Sequence, residues 1–187
     1  TKNWEFSRET LVSVRNRHEY FNSYQGDEVI LQGIYDATVK LPPVPFNGTY
    51  EIRIGYPVMF SRGVIQAYFD GMPCDIPTDL RTSGPNPKVG WVSDDGLTQE
   101  QIRTSDKSMR NRGYMKGIAS YGAHGAWFRD QSFMLRRILT TQYMEANGEY
   151  YLRVRQILDN SNAEMVYDYL ELVPKSVYAS DQGEDIW

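Results

Sequence analysis

Between residues 72 and 131 the chain gathers Trp91, Tyr114, Tyr121, Trp127 and Phe128 in a stretch broken by prolines 73, 77, 85 and 87. Interleaved with these rings are Asp94, Asp95, His124, Arg129 and Asp130. Rings beside acids and a guanidinium suit a hydroxyl-rich ligand. The indole faces of Trp91 and Trp127 stack on a pyranose ring, while the charged groups bond its hydroxyls. The same rings have a second reading, in which they cap a β-scaffold and fill the loops' own small core. His124 lies in Tyr121-Gly-Ala-His-Gly-Ala-Trp127, a glycine-rich loop that presents it either as an acid or base or as a surface histidine. Asp94, Asp95 and Asp130 offer carboxylates for glycoside hydrolysis. Adjacent aspartates just before a helix also serve as dipole partners or turn formers.

The remaining chemistry is sparse. Two histidines, His18 and His124, and one cysteine, Cys74, give no HExxH, GxSxG, P-loop or dinucleotide fingerprint. One cysteine excludes an internal disulfide and a multi-cysteine metal site, and with no marked basic neighbour it reads as an inert buried thiol. The expectation is a protein that is not an enzyme. A net charge of −4 gives no electrostatic case for nucleic acid, despite the local basic run Arg110-Asn-Arg-Gly-Tyr-Met-Lys116. No apolar run approaches 18 residues and no signal peptide is evident. A chain opening at Thr1 reads as a mature fragment or a piece of a longer polypeptide.

The elements that must hold such loops are strands. Hydrophobic content of 41% over 187 residues suits one sizeable domain. Fourteen tyrosines against seven phenylalanines suggest rings with one wet edge. Period-two alternation marks strands over Thr10–Arg15, Val29–Leu31, Asp36–Leu41, Tyr50–Tyr56 and Val64–Phe69. In them Ala37, Val39 and Leu41, then Ile65, Ala67 and Phe69, point inward. Asp70-Gly71 is a turn. After a long irregular insertion, three closing strands follow: Phe133–Thr141, a strand from Tyr150, and Glu164–Val173. Asn147-Gly148 joins the first two as a hairpin. Asp159 to Asn162 is a run of turn formers before the third. One helix is expected inside the insertion, with Thr98 and Gln101 as a capping box and Gly113 as its stop. Its polar interior buries only Ile102 and Met109, which predicts a short helix or one broken near Ser105–Asp106. Asp168 shares the apolar face of the last strand with Val166, Leu170 and Leu172. A carboxylate there needs a partner, such as an inward Arg137.

Three segments resemble the galactose-binding-like jelly rolls of many carbohydrate-binding modules. They are Ala37-Thr-Val-Lys-Leu-Pro-Pro-Val-Pro-Phe-Asn-Gly-Thr-Tyr-Glu-Ile-Arg-Ile54, Gly63-Val-Ile-Gln-Ala-Tyr-Phe-Asp-Gly71 and Val166-Tyr-Asp-Tyr-Leu-Glu-Leu-Val173. Two further stretches, Met109-Arg-Asn-Arg-Gly-Tyr-Met-Lys-Gly117 and Asp168-Tyr-Leu-Glu-Leu-Val-Pro-Lys-Ser-Val-Tyr178, are similar to an uncharacterised module that follows fasciclin domains in Bacteroidetes surface lipoproteins. The resemblance implies a single antiparallel β-sandwich over residues 1–187, with the insertion at about 72–131. It implies a non-catalytic, exported cell-surface module that recognises a glycan and touches a membrane only through a lipid anchor outside this chain. The alternative is a protein-interaction or spacer module whose partners are other cell-surface proteins. In several such families the acid matching Asp168 ligates a structural calcium with acids of the opening strands. Glu28, Asp27 or Glu5 would serve here, although the usual paired-glutamate opening is absent. No other cofactor is expected.

Overall fold

A computed structural model describes residues 3–7, 10–16, 27–58, 61–82, 85–117 and 134–178. The chain is an antiparallel β-sandwich of three sheets with one α-helix among these residues. Strands β1 (Trp4–Ser7), β2 (Thr10–Asn16), β3 (Asp27–Gly33), β4 (Asp36–Lys40), β5 (Gly48–Pro57), β6 (Val64–Phe69) and β7 (Met72–Asp79) precede the helix α1 (Gln99–Asn111). After it come β8 (Tyr114–Lys116), β9 (Met134–Met144), β10 (Tyr151–Gln156), β11 (Glu164–Tyr167) and β12 (Tyr169–Pro174). One sheet has the order β1-β4-β10-β6-β7, a second β11-β3-β2, and a third β12-β5-β9-β8.

The alternation read from the sequence places the core. Ala37, Val39, Leu152, Val154, Ile65 and Ala67 of the five-stranded sheet are buried in one cluster with Ile52, Ile54 and Leu135 of the third sheet. Leu31 and Met165 join them from the second sheet. The Asp70-Gly71 turn is as expected. Both residues have positive φ, 46° and 81°, and they join β6 to β7 directly, Phe69 opposite Met72.

Four expectations are corrected. The stretch from Met72 is not irregular at its start: β7 occupies Met72–Asp79 as the edge of the five-stranded sheet. Its prolines and the positive φ of Asp75 suit an edge, where missing donors do no harm and irregularity discourages further pairing. Asn147-Gly148 does turn the chain, with Asn147 at φ 60°, but makes no hairpin. β9 pairs with β5 and β8, whereas β10 pairs with β4 and β6, so the turn carries the chain from one sheet to another. The expected strand Glu164–Val173 is divided at Asp168. β11 pairs with β3 and β12 with β5, and the Asp168 N–H donates to the carbonyl of Gly55 at 3.0 Å. The single apolar face assumed for that strand therefore does not exist. Finally, α1 is continuous through Ser105 and Asp106.

β5 carries the feature on which the third sheet depends. Tyr50, Ile52, Ile54 and Tyr56 enter the core, so Glu51, Arg53 and Gly55 lie on the opposite face. In an uncovered sheet that face meets water, yet Arg53 is 0% exposed. Its guanidinium donates to Glu51 Oε2 through Nε at 3.0 Å and Nη2 at 2.9 Å, and to Glu171 Oε2 at 3.3 Å across the β12–β5 pairing. Arg110 of α1 reaches the other Glu51 oxygen at 2.6 Å, and Arg136 of β9 lies 3.8 Å from Glu171 Oε1. The ring of Tyr169 packs where a side chain on Gly55 would stand, which accounts for glycine there.

Removing Arg53 would leave Glu51 and Glu171 in a covered site without their shared cation. Arg53→Ala is expected to cost about 3–5 kcal/mol. Adding Glu51→Gln and Glu171→Gln to Arg53→Met is expected to recover much of that loss. Urea denaturation of the two variants checks it, and a loss below about 1 kcal/mol for Arg53→Ala would contradict the arrangement.

Candidate functional site

The insertion folds onto the third sheet through short, specific devices. Asn86 caps a 3-10 turn at Pro87–Val89, its side-chain oxygen accepting from the Lys88 N–H at 3.0 Å. Gly90 ends the turn at φ 80°, and a Cβ there would meet the Ser108 backbone, so the helix approaches closely at this point. Ser105 of the helix is buried against this loop and bonds it twice. Its hydroxyl donates to the Gly90 carbonyl at 3.4 Å and accepts from the Val92 N–H at 3.2 Å. The capping box is present as expected. Thr98 Oγ1 accepts from the Gln101 N–H at 3.3 Å, and Gln101 Oε1 accepts from the Thr98 N–H at 2.8 Å. Met109 is fully buried beneath the helix, Ile102 half-buried, and Gly113 at φ 78° ends it.

Beside the helix lie two adjoining cavities that share Asp94, Lys116 and Gly117. The first, about 330 Å³, is walled by Ile102, Met109 and Met115 and by the charged groups Asp106, Lys107, Arg110 and Arg136. The second, about 250 Å³, is lined by Pro85, Trp91, Ser93, Asp95 and Met134. Lys116 stands where they meet, its ammonium 2.6 Å from Asp94 Oδ1 and 2.7 Å from Asp106 Oδ1. Three segments thus converge on one cation: the loop before α1, α1 itself, and β8. Arg136 ties β9 to the same point by donating to the Lys116 carbonyl at 3.2 Å. Burial disfavours the Lys116 charge, but hydrogen bonds to Asp106 and Asp94 outweigh it and hold its pKa above the ordinary 10.5.

The sequence-derived site residues fare unequally. Asp94 is at the centre of the site and half-exposed. Trp91 borders the second cavity, but it is 4% exposed and packed in the core, so it is not an open stacking platform. Tyr114 is also buried, with the Arg137 guanidinium 4.6 Å above its ring centroid, so one ring face is already taken. Burial raises the pKa of its phenol. Tyr121, His124, Trp127, Arg129 and Asp130 lie outside the described residues, as do His18 and Phe128. Arg137, the suggested partner of Asp168, instead donates from Nη1 to the carbonyls of Arg112 and Gly113 at 3.0 and 3.1 Å.

For a calcium site, the last β11–β3 pair is Tyr167 with Val29, so Asp168 and Glu28 each stand one residue beyond it. The side chain of Glu28 lies outside the described part of the structure. Among the described residues no group of three His, Cys, Asp or Glu is placed to hold a metal ion. Cys74 is buried, and burial raises the pKa of its thiol, in keeping with an inert role. Among the same residues no helix is long and apolar enough to cross a membrane.

Sequence reasoning missed Lys116, Asp106 and Arg136. Asp94 and Lys116 are 22 residues apart, with a helix between them. The one signal was the basic run ending at Lys116, in which Arg110 and Lys116 now have separate structural partners.

No protein-family model matches the chain, and no curated protein matches it in sequence. Among solved structures it is similar to a Paenibacillus xanthan lyase, with a TM-score of 0.53 and 11% identity over 91% of this chain and 12% of the lyase. An insecticidal crystal protein, Cry2Aa, aligns over 89% of this chain and 21% of its own length, at 11% identity and a TM-score of 0.46. The likeness to the lyase is one of fold, and the chain corresponds to a small part of that enzyme. Fold and site together define a β-sandwich carrying a charged cleft on the outer face of one sheet.

Because the folded-state pKa of Lys116 is raised, its stabilising contribution is fully present below the unfolded value and is lost as pH rises through the folded value. The stability advantage of wild type over Lys116→Met is expected to shrink as pH climbs from about 9 to about 12. Urea denaturation across that range measures it. A difference that stays constant or widens would contradict the triad of Asp94, Lys116 and Asp106.

Proposed function

We propose that the chain is a non-catalytic, galactose-binding-like carbohydrate-binding module that takes a glycan in the paired cavities around Lys116. The observation that carries this reading is the position of Lys116 between Asp94 and Asp106 at the junction of the two cavities. A carboxylate can accept from up to four directions, so Asp94, half-exposed and joined to Lys116 through one oxygen, keeps acceptor capacity for sugar hydroxyls. Met109, Met115 and Ile102 supply apolar wall, and the first cavity is at the small end of the range for ligand pockets. A solved structure of similar fold belongs to a lyase named for a polysaccharide, which favours the same class of ligand. Such modules work by holding a polymer, so no turnover is needed, and no nucleophile or metal group is called for. The setting that suits this role is an exported protein at the cell surface, with glycan as the main partner and any lipid anchor elsewhere in the polypeptide.

A glycan array followed by calorimetry on the best binder tests the reading. Asp94→Ala is expected to weaken binding about tenfold, the size of one charge-assisted hydrogen bond, with the fold intact because Asp94 is half-exposed. If Asp94→Ala and Lys116→Met both stay folded and bind as wild type does, the site is wrong. If no glycan binds, the module mediates protein contacts instead.

A further inference from the structure

Away from the cleft, where the first and second sheets meet, three side chains carry polar atoms into the interior. Tyr35 stands between β3 and β4, Gln156 closes β10 and Tyr167 closes β11, and all three are buried. The chain around them is closely tied: the Gln156 N–H donates to the Tyr35 carbonyl at 2.9 Å, and the Gly63 N–H to the Glu164 carbonyl at 3.0 Å. Gln156 Oε1 accepts from the Val64 N–H at 3.0 Å, which fixes the amide and leaves Nε2 as its inward donor. Among the described residues, Gln156 Nε2 and the hydroxyls of Tyr35 and Tyr167 have no hydrogen-bond partner. Buried polar groups are costly to leave so, and native interiors nearly always satisfy them.

Glycine at 63 is what lets these groups approach. A Cβ there would stand 2.7 Å from Tyr35 Oη and 2.8 Å from Gln156 Nε2. Even the widest separation those lengths allow is one that a single molecule can bridge at ordinary hydrogen-bond lengths of about 2.7–3.2 Å. The set is also neutral. Burial pushes both phenols well up, and Tyr35 raises Tyr167 further, so both stay protonated. An amide nitrogen only donates, so a cation finds no welcome beside it. Nor is a charge reserved for an anion, since Arg62 already bonds Glu164 Oε2 at 2.9 Å and the Pro57 carbonyl at 3.0 Å. The small molecule that accepts from an amide and exchanges bonds with two hydroxyls is water.

We propose that this junction is a binding site for one internal water, which accepts from Gln156 Nε2 and bonds the hydroxyls of Tyr35 and Tyr167. Three partners is the usual number for such a water. It joins β10 of the first sheet to β11 of the second by bonds that none of the three side chains makes to another. The site accounts for two tyrosines and a glutamine where phenylalanine and leucine would otherwise fill a core.

A high-resolution crystal structure of the wild-type chain tests this. Density for one ordered water is expected within about 3.2 Å of Gln156 Nε2 and of both hydroxyls. No such density, or the three groups bonded directly to one another, overturns the inference. Magnetic relaxation dispersion of water, which counts long-lived internal waters in solution, gives a second readout. Tyr35→Phe combined with Tyr167→Phe removes two of the three partners, and the count is expected to fall by one. An unchanged count in the folded double variant overturns the inference as well. If that variant does not fold, the wild-type density decides alone.

Discussion

The structure turns on one guanidinium. Arg53 lies on the side of β5 that faces away from the apolar core, and yet no part of it meets solvent. Taking an arginine out of water is costly, and the cost is offset only where its donors find charged acceptors in good geometry. Here Glu51, two residues along the same strand, and Glu171, on the adjacent strand, meet that condition. Glu51 in turn binds Arg110 of the helix, and Glu171 lies beside Arg136 of β9. An alternating series of three arginines and two glutamates therefore runs from α1, across β5 and β12, to β9. The helical insertion is part of the third sheet's electrostatics, since without Arg110 the carboxylate of Glu51 would lose one of its two cations.

The cleft inherits its shape from this constraint. Arg110 and Arg136 belong both to the buried series and to the cavity wall, so what fixes the sheet also fixes the cleft. Lys116 is positioned separately by Asp94 and Asp106, and by the β8–β9 pairing that sets Lys116 opposite Leu135. Sites whose groups are already oriented before a ligand arrives lose less entropy on binding. Asp94 and Asp106 engage Lys116, and Glu51 and Glu171 engage arginines, while Lys107 is exposed at the rim.

Much of the sandwich was legible because strands with one wet face announce themselves by alternation. β6 is the clear case: Ile65, Ala67 and Phe69 are buried, while Val64, Gln66 and Tyr68 are half-buried. The capping box at Thr98 and the glycine stop at Gly113 were equally plain, because each is a local device. Pairing was less legible. Asn147-Gly148 looks the same whether it closes a hairpin or passes the chain between layers, and only the partners of β9 and β10 decide. Asp168 looked like an acid on an apolar face because alternation was carried through a point where the chain changes sheets. β7 was hidden by the prolines that suit an edge. Of the site, Asp94 could be read, since an acid among aromatics in a loop is a recognisable pattern. Lys116 could not, because its meaning comes from two acids 22 and 10 residues away that only the folded chain brings together. Trp91 misled for a related reason, as tryptophan is as good a core residue as a stacking one, and sequence alone does not say which face is wet.

The central claim is that the helix and the third sheet are coupled through Glu51. A double-mutant cycle on Glu51→Gln and Arg110→Gln, read by urea denaturation, measures that coupling directly. The pair is mostly buried and 2.6 Å apart, so an interaction energy of about 1–3 kcal/mol is expected. Additive losses, with a coupling below about 0.5 kcal/mol, would show that the helix rests on the sheet without being held by it.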